Sequence, residues 1–302
     1  MLTAKGLGSM AVVVSGSLLG AAAVAFLGAA FADWQEGLIR EPWQLHEQLD
    51  LEVLARLDAD LMRRARAELP TGSLQRSPDG PIANQTALAR RLDSSSFAPA
   101  PLDMATPSQF GNFRQLRTRL LTVGATMNTI PFTTLVVPLV AGSGASFVAR
   151  NLAAAFAAQD GASALLVDCN VARPSQHLAL RTGDDGGLFD FLDEPQTHFA
   201  PKPTAVPGLY LIPCGRPRST VREYFSSNRM RGLVHFLRDS GHFVFMDGPP
   251  AKGSSDARVL SEIADLVILV VGAAKARSGD VAKVVAMFEP AKLVGIVFNE
   301  QR

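Results

Sequence analysis

VVPLVAGSGASFVARNLAAAFAAQDGASALLVDCN, residues 136–170, is the part of the sequence that decides the fold. It consists of an apolar run, a turn with two glycines, an alanine-rich helical segment and a second apolar run. This order is typical of a strand, loop, helix and strand unit in a parallel sheet. The stretch therefore predicts an α/β fold, with a glycine loop at the start of a helix.

Six apolar runs of strand length alternate with helical segments over residues 110–302. Their residues are nearly all apolar, as expected for strands that are buried on both faces of a sheet. We therefore predict that residues 110–302 form one α/β domain, a parallel sheet with helices on both faces. The predicted strands are Thr133–Val140, Ala164–Val167, Leu209–Ile212, Phe243–Met246, Leu266–Val271 and Leu293–Phe298.

The N-terminal part of the chain carries no charged residue over residues 6–32. A helix of that length measures about 40 Å, enough to cross the roughly 30 Å apolar layer of a bilayer. We predict a transmembrane helix over residues 6–32, after a short segment of residues 1–5. A cleaved signal peptide is the alternative, because Lys5 precedes the run and residues 30–32 match an A-x-A cleavage pattern, although the run is longer than is usual for a signal peptide.

Residues 33–109 combine two patterns. Residues 45–69, LHEQLDLEVLARLDADLMRRARAEL, repeat leucines at helical spacing with charges between them, which predicts an amphipathic helix near the membrane. The arginines of this helix either contact anionic lipid or face solvent. Residues 70–108 are rich in proline, serine and glycine and predict a flexible linker.

The composition excludes several classes of function. With 29 basic and 28 acidic side chains the formal net charge is +1, which gives no field that would favour nucleic acid as the main partner. Cys169 and Cys214 lie in apolar contexts. They predict packed thiols in a reducing compartment rather than a disulfide scaffold or a cysteine metal site.

The glycine loop has the spacing of a phosphate-binding loop that lacks its lysine. Gly142, Ser143, Gly144 and Ser146 offer backbone N–H groups and a hydroxyl, and the helix that begins near Ser146 aims its positive end at the loop. Ala145 stands where a lysine would neutralise the phosphates. A tight strand-to-helix turn uses glycines in the same way, so the loop alone leaves a nucleotide site and a structural turn open.

Two aspartates end predicted strands at the same edge of the sheet. Asp168 follows the strand ALLV and Asp247 follows the strand FVFM. Carboxylates at this edge can hold Mg²⁺ or its water, and together with Ser146 they make up the predicted metal site. Each aspartate taken singly is as well suited to cap a helix or a turn.

In their order along the chain, these motifs resemble the cytoplasmic module of bacterial tyrosine kinases (BY-kinases) and of the polysaccharide co-polymerases associated with them, which are relatives of the MinD and ParA ATPases. GSGAS stands where that family has G-E-G-K-S, and FRQLRTRLL resembles the helix ahead of its first strand. ADWQEGLIREPWQLHEQL resembles the segment after the family's second membrane helix. The motifs that follow in the family's order are LLVDCNVARPSQH, GLFDFL, GLYLIPCG, SSNRMRGLVHFLRDSGHFVFMDGPP and GIVFN.

The resemblance implies a P-loop fold that binds ATP or ADP with Mg²⁺, and it assigns roles to individual residues. Asp168 matches the first acid of the second Walker motif, Asp247 matches the Walker B acid, and Asn299 would lie against the nucleotide base. Taken alone, an asparagine after a strand is a turn residue. Arg114 and Arg117 match the arginines of the family's oligomerisation motif, E-x-x-R-x-x-R, although both are equally suited to a solvated helix face.

The sequence departs from the family's pattern at four points. Ala145 replaces the loop lysine, Asn170 replaces the second acid of the D-x-D pair, and Gly111 stands at the glutamate of the oligomerisation motif. The tyrosine-rich tail of such kinases is missing, since Tyr210 and Tyr224 form no cluster.

The missing lysine predicts weak nucleotide binding and impaired catalysis, a pseudokinase. We therefore interpret the chain as an inner-membrane subunit with a cytoplasmic BY-kinase-like domain that regulates exopolysaccharide or capsule polymerisation, chain length and export. Its expected partners are a periplasmic chain-length (co-polymerase) subunit and the polysaccharide polymerase or export complex, in a homo- or hetero-oligomer. One alternative is an active tyrosine autokinase or ATPase whose lysine comes from a neighbouring subunit or segment. Another is a MinD-type positioning ATPase that binds the membrane reversibly.

Overall fold

The structure, a computed structural model, describes residues 37–49, 51–57, 104–105, 107–194, 200–216 and 221–300. The predicted transmembrane helix over residues 6–32 and nearly all of the predicted linker lie outside these ranges. Among the helices that are described, none combines the length and the apolar character needed to cross a bilayer.

The helices and strands of the described residues are, in chain order, α1 (Trp43–Leu49), β1 (Val53–Leu57), α2 (Pro107–Thr126), β2 (Thr133–Pro138), α3 (Ala145–Ala157), β3 (Ala164–Asp168), α4 (Gln176–Leu180), α5 (Leu188–Asp193), β4 (Lys202–Pro203), β5 (Leu209–Ile212), α6 (Val221–Phe225), α7 (Asn228–Asp239), β6 (Phe243–Asp247), α8 (Asp256–Ile263), β7 (Leu266–Gly272), α9 (Ser278–Val285) and β8 (Leu293–Asn299). All six predicted strands are present, with ends that shift by two residues at most.

These strands form one mostly parallel sheet. Within the described residues its order is β1-β8-β7-β2-β6-β3-β5-β4, and the β4–β5 pair is antiparallel. β2 lies between β7 and β6, and β3 lies next to β6. The carboxyl ends of these four central strands meet at one edge, which brings together the loops that carry the predicted site residues.

Helices cover both faces of the sheet. Successive strand residues point to opposite sides, so the buried strands present an apolar surface to each layer of helices. Leu165 and Val167 of β3 pack in the core that also contains the buried residues of α5, α7, α8 and α9. Leu166 packs in the second core, with the buried residues of α2 and α3. The prediction of a sheet with helices on both faces is confirmed.

The segment ahead of residue 110 differs from its prediction. Where residues 45–69 predict one amphipathic helix, α1 is followed by β1, which pairs in parallel with β8 at the edge of the sheet. Residues 58–69 of the predicted helix lie outside the described ranges. The leucines at positions 54 and 57 are buried in the core beside α2. Pairing with β8 therefore overrides the helical spacing of the leucines. The sheet begins at Val53, ahead of the predicted domain start at residue 110.

Gly295 of β8 makes room for β1. Its φ is +152°, and a Cβ at this position would lie 2.7 Å from the carbonyl oxygen of Glu52 and 2.8 Å from Cγ of Leu54. The same carbonyl oxygen accepts the backbone N–H of Ile296 at 2.9 Å. The absence of a side chain at residue 295 thus lets β1 approach close enough to form the first hydrogen bonds of the pair.

The two cysteines are packed in the interior, as predicted for packed thiols. Cys169 and Cys214 are both buried and neither forms a disulfide. Burial raises the pKa of the Cys214 thiol to about 12, so the thiol stays neutral at physiological pH.

Candidate nucleotide-binding site

The loop between β2 and α3 depends on two glycines in the left-handed region of φ. Gly142 has φ 81° and Gly144 has φ 89°. Gly144 is the N-cap residue of α3, and the cap has no side-chain hydrogen bond. The N-terminal end of α3, where backbone N–H groups and the helix dipole favour an anion, therefore opens directly onto the glycine loop.

Ala145 is the first residue of α3 and is only 3% exposed. Its methyl group packs in the core formed by α2, α3 and the sheet. The residue that would carry the positive charge in a phosphate-binding loop is thus an apolar side chain that faces the interior. Ala145 itself therefore provides no positive charge that could bind a phosphate.

Asp168 and Asp247 lie side by side at the carboxyl edge, as partners across the β3–β6 pair, and both are fully buried. The carboxylate of Asp168 accepts three backbone N–H groups: that of Asn170 on Oδ1 at 3.1 Å, and those of Ser175 and Gln176 on Oδ2 at 3.0 Å each. Asp168 therefore organises the turn after β3, the role of a turn residue that the sequence left open.

Gln176, which sequence reasoning missed, connects the site. Its side chain is fully buried, and its Nε2 donates to Oδ2 of Asp247 at 2.7 Å and to the carbonyl oxygen of Ser146 at 2.9 Å. Its Oε1 accepts a hydrogen bond from Nη1 of Arg150 at 3.0 Å, and Arg150 is itself only 2% exposed. One amide thus joins an aspartate, the start of α3 and a buried cation. The signal for Gln176 in the sequence is its place in the motif LLVDCNVARPSQH, which by itself assigns it no role.

Burial raises the pKa of both carboxyl groups of this edge. The pKa of Asp247 rises to about 7, first because of burial and then because of the negative charge of Asp168. Hydrogen bonds from the side chains of Gln176 and Ser146 and the positive charge of Arg150 lower it in part. Burial also raises the pKa of Asp168, against the three backbone N–H groups. The two aspartates therefore do not both carry a full charge near neutral pH.

The predicted magnesium donors Ser146, Asp168 and Asp247 differ in how far the protein already occupies their oxygen atoms. Asp168 is engaged by backbone N–H groups on both oxygens, and Oδ2 of Asp247 is engaged by Gln176. Oδ1 of Asp247 is buried without a hydrogen-bond partner. In the described ranges, no cluster of three or more histidine, cysteine, aspartate or glutamate side chains is placed to hold a metal ion. Mg²⁺ usually keeps several waters and takes one or two carboxylates together with phosphate oxygens, so Oδ1 of Asp247 and the Ser146 hydroxyl could still hold it, and the predicted metal site stays a prediction.

Asn299 ends β8 below the glycine loop and is 1% exposed. Its Nδ2 donates to the carbonyl oxygen of Ser143 at 2.9 Å, while its Oδ1 has no hydrogen-bond partner. The hydroxyl of Ser143 donates to the carbonyl oxygen of Val140 at 2.8 Å. Both side chains thus stabilise the loop from within, and the predicted contact of Asn299 with a nucleotide base stays a prediction.

The two predicted oligomerisation arginines have different surroundings. Arg117 donates from Nη1 to the carbonyl oxygen of Ala155 at 2.6 Å, which ties α2 to the C-terminal end of α3. Arg114 is exposed and lies over the ring of Phe110, 5.4 Å from its centroid. A role of either arginine between subunits stays a prediction.

No protein-family model matches the chain. Among curated proteins, it is 28% identical to tyrosine-protein kinase YwqD of Bacillus subtilis over 164 residues, which cover 53% of this chain and 69% of that protein. It is 28% identical to tyrosine-protein kinase wzc of Salmonella typhimurium over 207 residues, 68% of this chain and 28% of that kinase. It is 23% identical to tyrosine-protein kinase ptk of Acinetobacter johnsonii over 265 residues, 87% of this chain and 33% of that kinase. Its homologues are bacterial tyrosine-protein kinases.

Solved structures of such kinases share the fold. The BceF tyrosine kinase domain matches with a TM-score of 0.68 and 20% identity, over 88% of this chain and 100% of that one. The kinase domain of the Escherichia coli tyrosine kinase ETK matches with a TM-score of 0.65 and 23% identity, over 87% of this chain and 95% of that one. At these identities the likeness establishes the fold alone. The chain spans no more than about a third of the Acinetobacter and Salmonella kinases.

Proposed function

We propose that the chain is a membrane-anchored, BY-kinase-like subunit with impaired catalysis that regulates the polymerisation, chain length and export of exopolysaccharide or capsule. The observation that carries the proposal is Ala145, a buried methyl group at the point of a kinase-like fold where the loop lysine of BY-kinases stands. The kinase homologues and the kinase fold support the family assignment, and the altered loop supports the loss of transfer.

The size of the catalytic loss follows from the chemistry of phosphoryl transfer. Enzymes catalyse this reaction by positioning groups and by stabilising charge, and one cationic group is worth about 10³ to 10⁵ in rate. Here the two acids that would assist are bonded to backbone N–H groups and to the amide of Gln176. A site in this state lacks the charge that the transition state requires.

Ground-state binding of a nucleotide is less sensitive to the same loss. Losing one charge-assisted hydrogen bond costs about 1.5–3 kcal/mol, which corresponds to about 10- to 200-fold in affinity. The loop glycines and the N-terminal end of α3 still present backbone N–H groups to an anion. ADP and ATP are therefore the ligands of the proposed regulatory site, bound weakly.

The first test measures binding and chemistry on the purified full chain. Calorimetry should detect weak ADP binding, and radiolabelled ATP should give negligible phosphate transfer and negligible turnover, with the kinase YwqD as the positive control for the assay. Brisk hydrolysis would favour the active autokinase or ATPase instead. No binding of either nucleotide would mean that the glycine loop is a structural turn.

The proposed location is the bacterial inner membrane, with residues 6–32 as the anchor and the α/β domain in the cytoplasm. Alkaline phosphatase fused after Arg302 should then be inactive, while the same fusion with a cleavable signal peptide in place of residues 1–32 should be active. Strong activity of the first fusion would support the signal-peptide alternative. Resistance of the chain to carbonate extraction separates an anchor from the reversible membrane binding of a positioning ATPase.

The proposed partners are a periplasmic chain-length subunit and the polymerase or export complex. They follow from the BY-kinase resemblance and from the kinase homologues of the chain. Co-purification of the full chain with a membrane protein that has a periplasmic domain would support this proposal, and purification of the chain alone from its native membrane would contradict it.

A further inference from the structure

Lys275 belongs to no motif of the sequence analysis, yet its ammonium group reaches the glycine loop. Its Nζ donates to the carbonyl oxygen of Gly142 at 2.6 Å. A Cβ added to Gly142 would lie 3.8 Å from the same nitrogen. We propose that Lys275 supplies the loop with the positive charge that Ala145 lacks, and that its ligand is the phosphate chain of a nucleoside di- or triphosphate. This inference rests on the nucleotide binding proposed above.

The topology of the sheet accounts for the position of Lys275. β2 and β7 are neighbouring parallel strands, so the glycine loop after β2 and the turn after β7 leave the same edge of the sheet. Lys275 lies in that turn, and its backbone N–H donates to the carbonyl oxygen of Gly272 at 3.2 Å. A cation that follows β7 is thus brought beside a loop more than a hundred residues earlier in the sequence.

The packing of its aliphatic part and the hydrogen bonds of its turn direct the Lys275 side chain toward the loop. A Cβ at Gly272 would lie 2.9 Å from Cδ of Lys275, so the aliphatic part of the lysine occupies the space that a side chain at residue 272 would need. The turn itself is held because Ala273 donates its backbone N–H to the carbonyl oxygen of Asn299 at 2.8 Å, and Ala274 donates to that of Ile39 at 2.7 Å. The ammonium group therefore projects from a fixed turn toward the loop.

The charge of Lys275 is available, unlike that of its neighbours. Arg150 is buried against Gln176, and Lys252, in the loop after β6, pairs with Asp280 at 2.8 Å. Lys275 is exposed, and within the described part of the chain its bonded partner is the neutral carbonyl of Gly142. An ammonium group has three N–H donors, so two remain for phosphate oxygens, and a phosphate is a far stronger acceptor than a carbonyl.

A second observation points to a ligand at this edge. Buried polar atoms are paired in the great majority of cases. Oδ1 of Asn299, below the loop, and Oδ1 of Asp247, beside it, are both buried without a hydrogen-bond partner. A hydrogen-bond donor from outside the protein, on a ligand or on the water that hydrates it, would give each of these two oxygens its missing hydrogen bond.

The position of Lys275 also limits what it does. It approaches from a solvent-exposed turn rather than from the first turn of α3, and it meets the loop at Gly142 instead of Ala145. Such a charge attracts the phosphates of a bound nucleotide without taking the place of the lysine in the transition state. Lys275 is therefore a binding residue, and its effect should weaken as salt increases.

The experiment measures ADP affinity of the full chain by calorimetry at low salt, in Mg²⁺ and again in EDTA. Lys275→Met should bind ADP about 5- to 10-fold more weakly than wild type in both buffers, and Lys275→Arg should keep most of the affinity. Lys252→Met is the matched control, because it removes a lysine from a neighbouring loop whose charge Asp280 already neutralises. It should bind as wild type does.

The outcomes separate this inference from the function on which it rests. If wild type binds no ADP, both the inference and the proposed nucleotide binding are overturned. If wild type binds and Lys275→Met binds equally well, only the role of Lys275 is overturned. Equal thermal midpoints of wild type and Lys275→Met without ADP would show that a loss of affinity is not a loss of folding. If Lys252→Met lost ADP affinity to the same degree as Lys275→Met, the assignment would also be overturned, because the effect would then not be specific to Lys275.

Discussion

Asp247→Asn should make the folded chain more stable at pH 8 and should flatten its stability between about pH 4 and pH 7. Burial beside Asp168 raises the pKa of Asp247 from 3.8 to about 7, so the folded chain keeps a proton that the unfolded chain has released. Stability is therefore full below pH 3.8 and is lost as the pH rises through about 7. A neutral amide removes the buried charge, and the gain at pH 8 should be on the order of a few kcal/mol.

Urea denaturation at pH 5, 6, 7 and 8 measures this effect as the difference between wild type and Asp247→Asn. The difference should grow with pH, although Gln176 and Arg150, which favour the charged form, reduce it. Asp239→Asn is the control, since the carboxylate of Asp239 is 70% exposed and loses little hydration on folding. Parallel stability profiles for wild type and Asp247→Asn would contradict the raised pKa.

Ala145→Lys should raise the affinity of the chain for ADP by roughly 10-fold or more at low salt. The new ammonium group would start from the first residue of α3, at the position where BY-kinases carry their lysine. Because Lys275 would act on the same phosphates, the two lysines should not be additive, and the gain should be larger in a Lys275→Met background. Recovery of turnover should be incomplete, since Asn170 and Gly111 still depart from the family's pattern.

Ala145→Met is the matched control for this prediction, because it adds a side chain of similar length without a charge. Calorimetry on wild type and on the two variants separates the effect of the charge from any change in packing at a buried position. Asp247→Asn in the Ala145→Lys background then tests whether the aspartate contributes to the regained affinity. Equal affinity of wild type, Ala145→Lys and Ala145→Met would mean that the loop does not hold the phosphates.

The features that could be predicted from the sequence are those with a local pattern. Buried parallel strands are continuous apolar runs, so the six main strands and the loops at their carboxyl ends follow from composition alone. β1 was mistaken for part of a helix because its leucines, Leu54 and Leu57, are three residues apart, a spacing that also fits a helix face. Only the pairing with β8, more than 200 residues later in the chain, makes the segment a strand.

The parts of the site that were missed depend on contacts between distant segments. Gln176 joins Asp247 across 71 residues, and Lys275 reaches Gly142 across 133 residues. Lys275 stands in no motif, and Gln176 lies in the motif LLVDCNVARPSQH without a local pattern that assigns it a role. The family resemblance assigns Asn299 to the nucleotide base, whereas its bond to Ser143 follows from the order of the strands, which no periodicity reveals.

The pairing of β1 with β8 also has a mechanical consequence. Leu57 is the register partner of Asn299, and its carbonyl oxygen accepts the backbone N–H of Glu300 at 2.9 Å. Asn299 in turn holds the carbonyl of Ser143 in the glycine loop. A pull on the chain ahead of residue 37 would first load the hydrogen bonds that join Ile39 to Ala274 and Ala276, and only then the hydrogen bonds between β1 and β8. Tension that reaches β1 would therefore act on Asn299, the residue whose side chain holds the carbonyl group of Ser143 in the glycine loop.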